Sequence, residues 1–234
     1  MYIGITERGD AALDLSWQNK RCPKILITKD PNKLIKNTKD FNKCIVHCTI
    51  TGLGGTEFEP NVPDPEVSLD AYRRLVKFLG PNRVVLRVDP LFPSDERILN
   101  KQLEIFKYSI SRTRISFLDM FPHVIARLSE KEISLDISGY KNKTHYPLDE
   151  RLNILNRIKN TYTSKFDIEI CGEPGMGCSG CVSMVDVEAL GLTLEPKVKT
   201  STQRSVCLCL AEKKELLTNK SQCLHGCIYC YWQG

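Results

Sequence analysis

An α/β chain built on a parallel sheet is predicted by three observations. Short β-branched runs alternate with helical patterns over the first 170 residues, several of these runs are apolar nearly throughout, and no Gly-x-Gly-x-x-Gly follows the first of them. The alternation implies right-handed βαβ crossovers. Continuous apolar character implies strands covered on both faces. Without the dinucleotide fingerprint a Rossmann sheet loses its main support, and six β/α units point instead to a partial or complete (β/α) barrel.

The predicted strands are Tyr2–Thr6, Ile25–Thr28, Cys44–Ile50, Val84–Val88, Ile115–Leu118 and Phe166–Ile170. A helix over Glu66–Leu79 follows Pro65 and stops at Gly80-Pro81, a clear end signal. A second helix, Asp95–Tyr108, takes Ser94 as its N-cap. Phe121–Leu128 and Leu148–Lys159 carry Ile, Leu and Val at helical spacing. Residues 1–170 thus form the barrel scaffold, and residues 171–234 a cysteine-rich segment packed on its rim.

The chain has 234 residues, enough for one large α/β domain. Lys+Arg 33 against Asp+Glu 28 gives a net charge of +5, a mild excess that tolerates an anionic partner without demanding one. Met1 to Ile5 is followed at once by Glu7, Arg8 and Asp10, so no segment reads as a secretion signal. No apolar run approaches the roughly 20 residues that span a bilayer. The expectation is a cytoplasmic protein with no membrane partner.

In that setting eleven cysteines argue for metal or redox chemistry rather than disulfides. Cys22, Cys44 and Cys48 are scattered through the first half and are expected to be buried apolar residues. The other eight lie between Cys171 and Cys230.

Chemistry in β/α barrels sits at the C-terminal ends of the strands. Those positions carry Thr6-Glu7-Arg8, Thr28-Lys29-Asp30, Thr49 to Gly52, Arg87-Val88-Asp89-Pro90, Ser116 with Asp119, and Cys171 with Glu173. Lys29, Arg87, Asp89 and Asp119 are the substrate-binding candidates, against the blander reading that they cap helices or pair among themselves. His47 reads as a core histidine in an apolar strand, while His123 and His145 have no partner that the sequence names.

The tail contains Cys223-x3-Cys227-x2-Cys230. Three thiolates on one short loop hold three irons of a cubane cluster and leave the fourth open to an exogenous ligand, whereas electron carriers usually supply four cysteines. His225 falls inside the loop, as a rim residue or a fourth ligand. This spacing resembles the cysteine motif of the radical S-adenosylmethionine superfamily, with Tyr229 in the aromatic position that packs near the adenine. The resemblance implies a [4Fe-4S] cluster on Cys223, Cys227 and Cys230, S-adenosyl-L-methionine as cosubstrate, and an electron donor such as flavodoxin or ferredoxin. Gly54-Gly55-Thr56-Glu57 is similar to the Gly-Gly-Glu stretch that binds the methionine amine in that superfamily, which would assign Gly54, Gly55 and Glu57 to the cofactor; a plain turn is the other reading. Superfamily members carry the loop after their first strand. Its place here implies a circularly permuted barrel, with the loop closing beside the strand Tyr2–Thr6.

Stretches along nearly the full chain resemble the family called domain of unknown function 1848. They are Ile27-Thr28-Lys29-Asp30-Pro31, Thr49-Ile50-Thr51-Gly52 leading to Glu59-Pro60-Asn61-Val62-Pro63, Arg87-Val88-Asp89-Pro90-Leu91, Ser116-Phe117-Leu118-Asp119, Cys207-Leu208-Cys209 and the final cysteine loop. Where the family tends to carry Asp-Ile-Gly, this chain has Ala211-Glu212-Lys213-Lys214-Glu215. The family brings fold and cofactor but no substrate. A more distant similarity, to spore photoproduct lyase, rests on cluster type and partial barrel and would imply a nucleobase or nucleic-acid substrate. A non-catalytic iron–sulfur or zinc protein is the third reading.

Five further cysteines, Cys171, Cys178, Cys181, Cys207 and Cys209, offer four ligands for a second iron–sulfur cluster or a zinc. Cys178-x2-Cys181 has knuckle spacing, and Cys207 and Cys209 fall on one side of an extended segment. The family comparison favours Cys171, Cys181, Cys207 and Cys209, with Cys178 competing with Cys181. The alternative role for this site is to staple a Gly-rich segment.

Overall fold

A computed structural model describes residues 2–162, 166–193, 207–217 and 223–230. Seven strands form one sheet: β1 (Ile3–Ile5), β2 (Lys24–Thr28), β3 (Cys44–Thr49), β4 (Val84–Leu91), β5 (Arg112–Phe117), β6 (Asp167–Ile170) and β7 (Lys213–Glu215). The spatial order is β6-β5-β4-β3-β2-β1-β7, and every neighbouring pair is parallel. Strands β1 to β6 therefore advance in one direction without the reversal that marks a Rossmann switch point. Among the described residues the sheet is open, with β6 and β7 as its two edges, and the closure of a complete barrel is not seen.

All six predicted strands are present, displaced by at most a few residues. β7 was not predicted, because Lys213-Lys214-Glu215 has no apolar pattern. It pairs with β1 through Ile3↔Lys213, Gly4↔Lys214 and Ile5↔Glu215, so the segment after residue 170 contributes a strand to the main sheet as well as packing on it.

The helices are α1 (Pro31–Asn37), α2 (Pro65–Leu79), α3 (Glu96–Glu104), α4 (Pro122–Glu130), α5 (Leu148–Tyr162) and α6 (Met184–Ala189). At seven and six residues, α1 and α6 are too short to display a 3.6-residue period. Each has a local start signal instead. The Asp30 side chain accepts from Lys33 N at 2.9 Å, and Ser183 and Asp186 form a reciprocal capping box. α3 starts one residue later than predicted, with Asp95 rather than Ser94 as N-cap, its carboxylate accepting from Ile98 N at 2.9 Å. The predicted continuation to Tyr108 tightens into a 3-10 turn over Ile105–Tyr108.

Strand alternation divides the core in two. Leu26, Val46, Cys48, Leu86, Val88 and Ile115 face the layer that contains Leu69, Tyr72 and Leu75 of α2 and Leu99 and Leu103 of α3. On the other face, Ile3, Ile5, Ile25, Ile27, Ile45 and Val85 are covered by Cys181, Val182, Val187, Cys209 and Leu210. The second cover thus comes from the cysteine-rich segment, which reaches beyond the rim into the inner face. Among the described residues, no helix is long and apolar enough to cross a membrane.

Candidate functional site

The C-terminal loop is seated on residues at the C-terminal ends of β1 to β4. His225 is 3 % exposed. Its Nε2 lies 2.7 Å from Asp10 Oδ2 and its Nδ1 3.3 Å from the Asn61 carbonyl. Both ring nitrogens thus face acceptors, and neither is turned to a metal as the fourth-ligand reading would need. Burial opposes charge on His225, but Asp10 outweighs it and holds the ring's pKa above the ordinary value. Asp10 is itself fixed. Its Oδ1 accepts from Ala12 N and Thr28 Oγ1, and its Oδ2 from Lys29 N, each at 2.7 Å.

The loop backbone is held as firmly. Asn61 N donates to the His225 carbonyl at 3.2 Å, Asn61 Nδ2 to the Leu224 carbonyl at 2.8 Å, and Ile228 N to the Phe58 carbonyl at 3.1 Å. Arg127 Nη1 donates to the carbonyls of Ile228 and Cys230 at 2.9 and 2.7 Å. Gly226 has φ +66°, and a Cβ there would stand 3.3 Å from Pro60 Cγ, so the tight turn between Cys223 and Cys227 needs glycine. Burial pushes the Cys223 thiol up to about 11 and the Cys227 thiol up to about 12, with Lys29 opposing in both.

Tyr229 inserts into a buried polar pocket. Its hydroxyl bonds Glu59, and Lys29 Nζ donates to both Glu59 Oε1 and Tyr229 Oη at 2.8 Å. Its ring packs edge-on against Phe92 at 5.6 Å, and Phe92 in turn against Phe58 at 5.2 Å. Burial and the neighbouring Glu59 raise the tyrosine far above its ordinary pKa, so the hydroxyl keeps its proton. Glu59, 1 % exposed, is the residue that sequence reasoning passed over. Glu57, the acid in the Gly-Gly-Glu-like stretch, is exposed in a turn closed by Thr56 N on the Leu53 carbonyl. Gly54 and Gly55 belong to that turn. No local pattern marks Glu59, since its partners Lys29 and Tyr229 lie 30 and 170 residues away.

The four substrate candidates are partnered. Lys29 pairs with Glu59, Arg87 with Asp89, and Asp119 with His145 at 2.6 Å. Ser116 Oγ also donates to Asp89. His145 therefore has the partner that its sequence context did not reveal, and His123 stacks on Phe121 at 5.5 Å. Cys44 and Cys48 are buried as expected, Cys22 only partly. His47 is a fully buried core residue.

The second cysteine group joins two segments across the inner face. Cys171 directly follows β6, and its Sγ lies 3.1 Å from Cys181 Sγ. Cys181 N donates to Cys209 Sγ at 3.0 Å, and the Cys209 thiol also neighbours those of Cys181 and Cys207. Cys178 turns away, its Sγ held by Glu173 N at 3.2 Å and donating to Glu173 O at 3.0 Å. The neighbouring sulfurs of Cys171 and Cys209, with Arg114 and Arg87 close by, outweigh burial and lower Cys181. The bond with Cys209 brings Cys207 down to about 6. The sulfurs make a chain of neighbours, and among the described residues no three His, Cys, Asp or Glu side chains are drawn onto one ion-sized centre.

Comparison with known proteins supplies one match. A family model described as a domain of unknown function (DUF1848) matches residues 13–232. No curated protein and no solved structure matches the chain.

Proposed function

The chain belongs to the domain of unknown function 1848 family, and on that premise we propose that it is a radical S-adenosylmethionine enzyme whose [4Fe-4S] cluster is held by Cys223, Cys227 and Cys230. The observation that carries this reading is the donor set of the C-terminal loop. Three cysteines share one short turn, and the remaining candidate ligand inside it, His225, is committed to Asp10 and Asn61. Such a set suits a cluster with one open iron. When bound, the cluster and its cosubstrate supply reductive cleavage of the sulfonium, with an electron from a flavodoxin- or ferredoxin-like donor.

The protein's own residues orient and shield. Asp10 and Arg127 fix the loop from two sides, Lys29 and Glu59 hold Tyr229 at its inner end, and Phe92 and Phe58 back the tyrosine with an apolar wall. The strand order also supports the finer fold reading. A strand immediately ahead of the cysteine loop, placed beside β1, is what an opened β/α barrel would have if its first unit came last in sequence.

Anaerobic reconstitution with iron and sulfide, followed by dithionite and S-adenosylmethionine, is expected to release 5′-deoxyadenosine. Cys227→Ala is expected to abolish it, a fall of at least two orders of magnitude. A fully loaded wild-type cluster that yields no 5′-deoxyadenosine overturns the proposal.

A further inference from the structure

The inner face of the sheet carries charge where a barrel interior is ordinarily aliphatic. Arg87 on β4 and Arg112 and Arg114 on β5 are all buried there, Arg114 completely, and His47 lies on β3 beside them. Acids offset the guanidinium charges. Arg112 meets Glu169 and Asp186 at 2.7 and 2.8 Å, Arg114 Nε meets Glu169 at 3.1 Å, and Arg87 meets Asp89. Charge is thus balanced, but hydrogen bonding is not. Arg87 Nε, Arg114 Nη1 and both ring nitrogens of His47 are buried with no partner among the described residues. An unpaired buried guanidinium N–H is costly, so Arg87 Nε and Arg114 Nη1 in one layer point to an acceptor between them.

Cys171 and Cys181 lie on this same face of the sheet, Cys181 buried among its apolar side chains and Cys171 packed against them. Cys209 and Cys207 come to them from the segment before β7. That approach is built into the backbone. A Cβ on Gly180 would stand 2.6 Å from Leu208 O and 2.7 Å from Cys209 Cα, and Leu210 N donates to Val182 O at 3.0 Å.

We propose that Cys171, Cys181, Cys207 and Cys209 bind a second iron–sulfur cluster, buried against the sheet, with Arg87 and Arg114 as hydrogen-bond donors to its sulfurs. On binding, the four thiols release their protons to solvent and ligate iron as thiolates. Zinc fits less well. The knuckle pair that a structural zinc favours, Cys178-x2-Cys181, is broken by the engagement of Cys178 with Glu173.

The test uses the full-length chain with Cys223, Cys227 and Cys230 changed to Ala, reconstituted anaerobically, so that its outcome is separate from that of the radical S-adenosylmethionine reading. Iron and acid-labile sulfide are expected in equal amounts, with a Mössbauer spectrum of four-cysteine ligation. Adding Cys181→Ala should remove both, and adding Cys178→Ser should remove neither. Arg114→Gln should keep the iron and lower the midpoint potential of the cluster. Should the triple variant not fold, iron content is compared between the otherwise wild-type chain and its Cys181→Ala variant, which is expected to hold about half as much. Zinc without iron, or iron unchanged by Cys181→Ala, overturns the proposal; an unchanged potential in Arg114→Gln overturns the role given to the arginines.

Discussion

The two cysteine groups are built on opposite plans. At the C-terminal loop, three sulfurs sit within eight residues and the scaffold fixes everything between them: Asp10 takes His225, Arg127 takes two carbonyls, and Lys29 and Glu59 take Tyr229. The thiols themselves are left to burial, which keeps Cys223 and Cys227 protonated. In the second group, the sulfurs come from segments some thirty residues apart and their own contacts link the segments. One group is positioned by its surroundings; the other positions the chain around it. Metal should therefore matter little to the fold at the first and a great deal at the second.

Substitutions can break this contrast, the largest effect coming from the scaffold side. Lys29→Met leaves Glu59 buried beside Tyr229 without its cation, a loss of about 3–5 kcal/mol expected from breaking a buried pair. Urea denaturation of metal-free protein should show it in full, since the Lys29–Glu59 pair forms without metal. Gly180→Ala tests the other plan. Its Cβ meets backbone atoms that cannot swing aside, and overpacking of this kind costs about 1–3 kcal/mol. The same substitution should depress iron uptake in the second group while leaving that of the C-terminal loop unchanged. Equal loss at both sites would mean the two groups are not independent.

The smallest effect concerns Asp89. Burial opposes its ionisation, but Arg87, the Ser116 hydroxyl and Lys29 outweigh it and hold its carboxyl below the ordinary value of 3.8. A depressed folded-state pKa contributes stability that is present above the unfolded value and is lost as pH falls through the folded one. The wild type's advantage over Asp89→Asn should be constant above about pH 5 and shrink below about pH 4. An advantage that grows with acid would contradict the assigned direction.

Much of the fold was legible in the chain because β1 to β4 are buried nearly throughout, and two-sided burial leaves long apolar runs. β7 was hidden for the opposite reason. It is a short edge strand of Lys and Glu, and Lys213 earns its place by an ion pair with Glu7, a long-range contact that no local pattern encodes. Spacing alone made Cys223, Cys227 and Cys230 legible. Glu59 was not, because its partners are 30 and 170 residues away. Arg112 and Arg114 were hidden likewise. Arg112-Thr113-Arg114 alternates as a half-exposed strand would, and only the cover over it reveals that both guanidiniums are buried.

The pairing of β7 with β1, from Ile3↔Lys213 to Ile5↔Glu215, joins residues 210 apart. In a chain made from the N-terminus, β1 can pair with β2 early, yet its other edge stays bare until β7 has been synthesised. Through that interval the growing protein offers an unprotected strand edge to other chains. Slow, non-local closure is the cost of such an order. Ala211 to Glu215, with two lysines and two glutamates in five residues, is a closing segment whose charges disfavour pairing with other chains before it reaches β1.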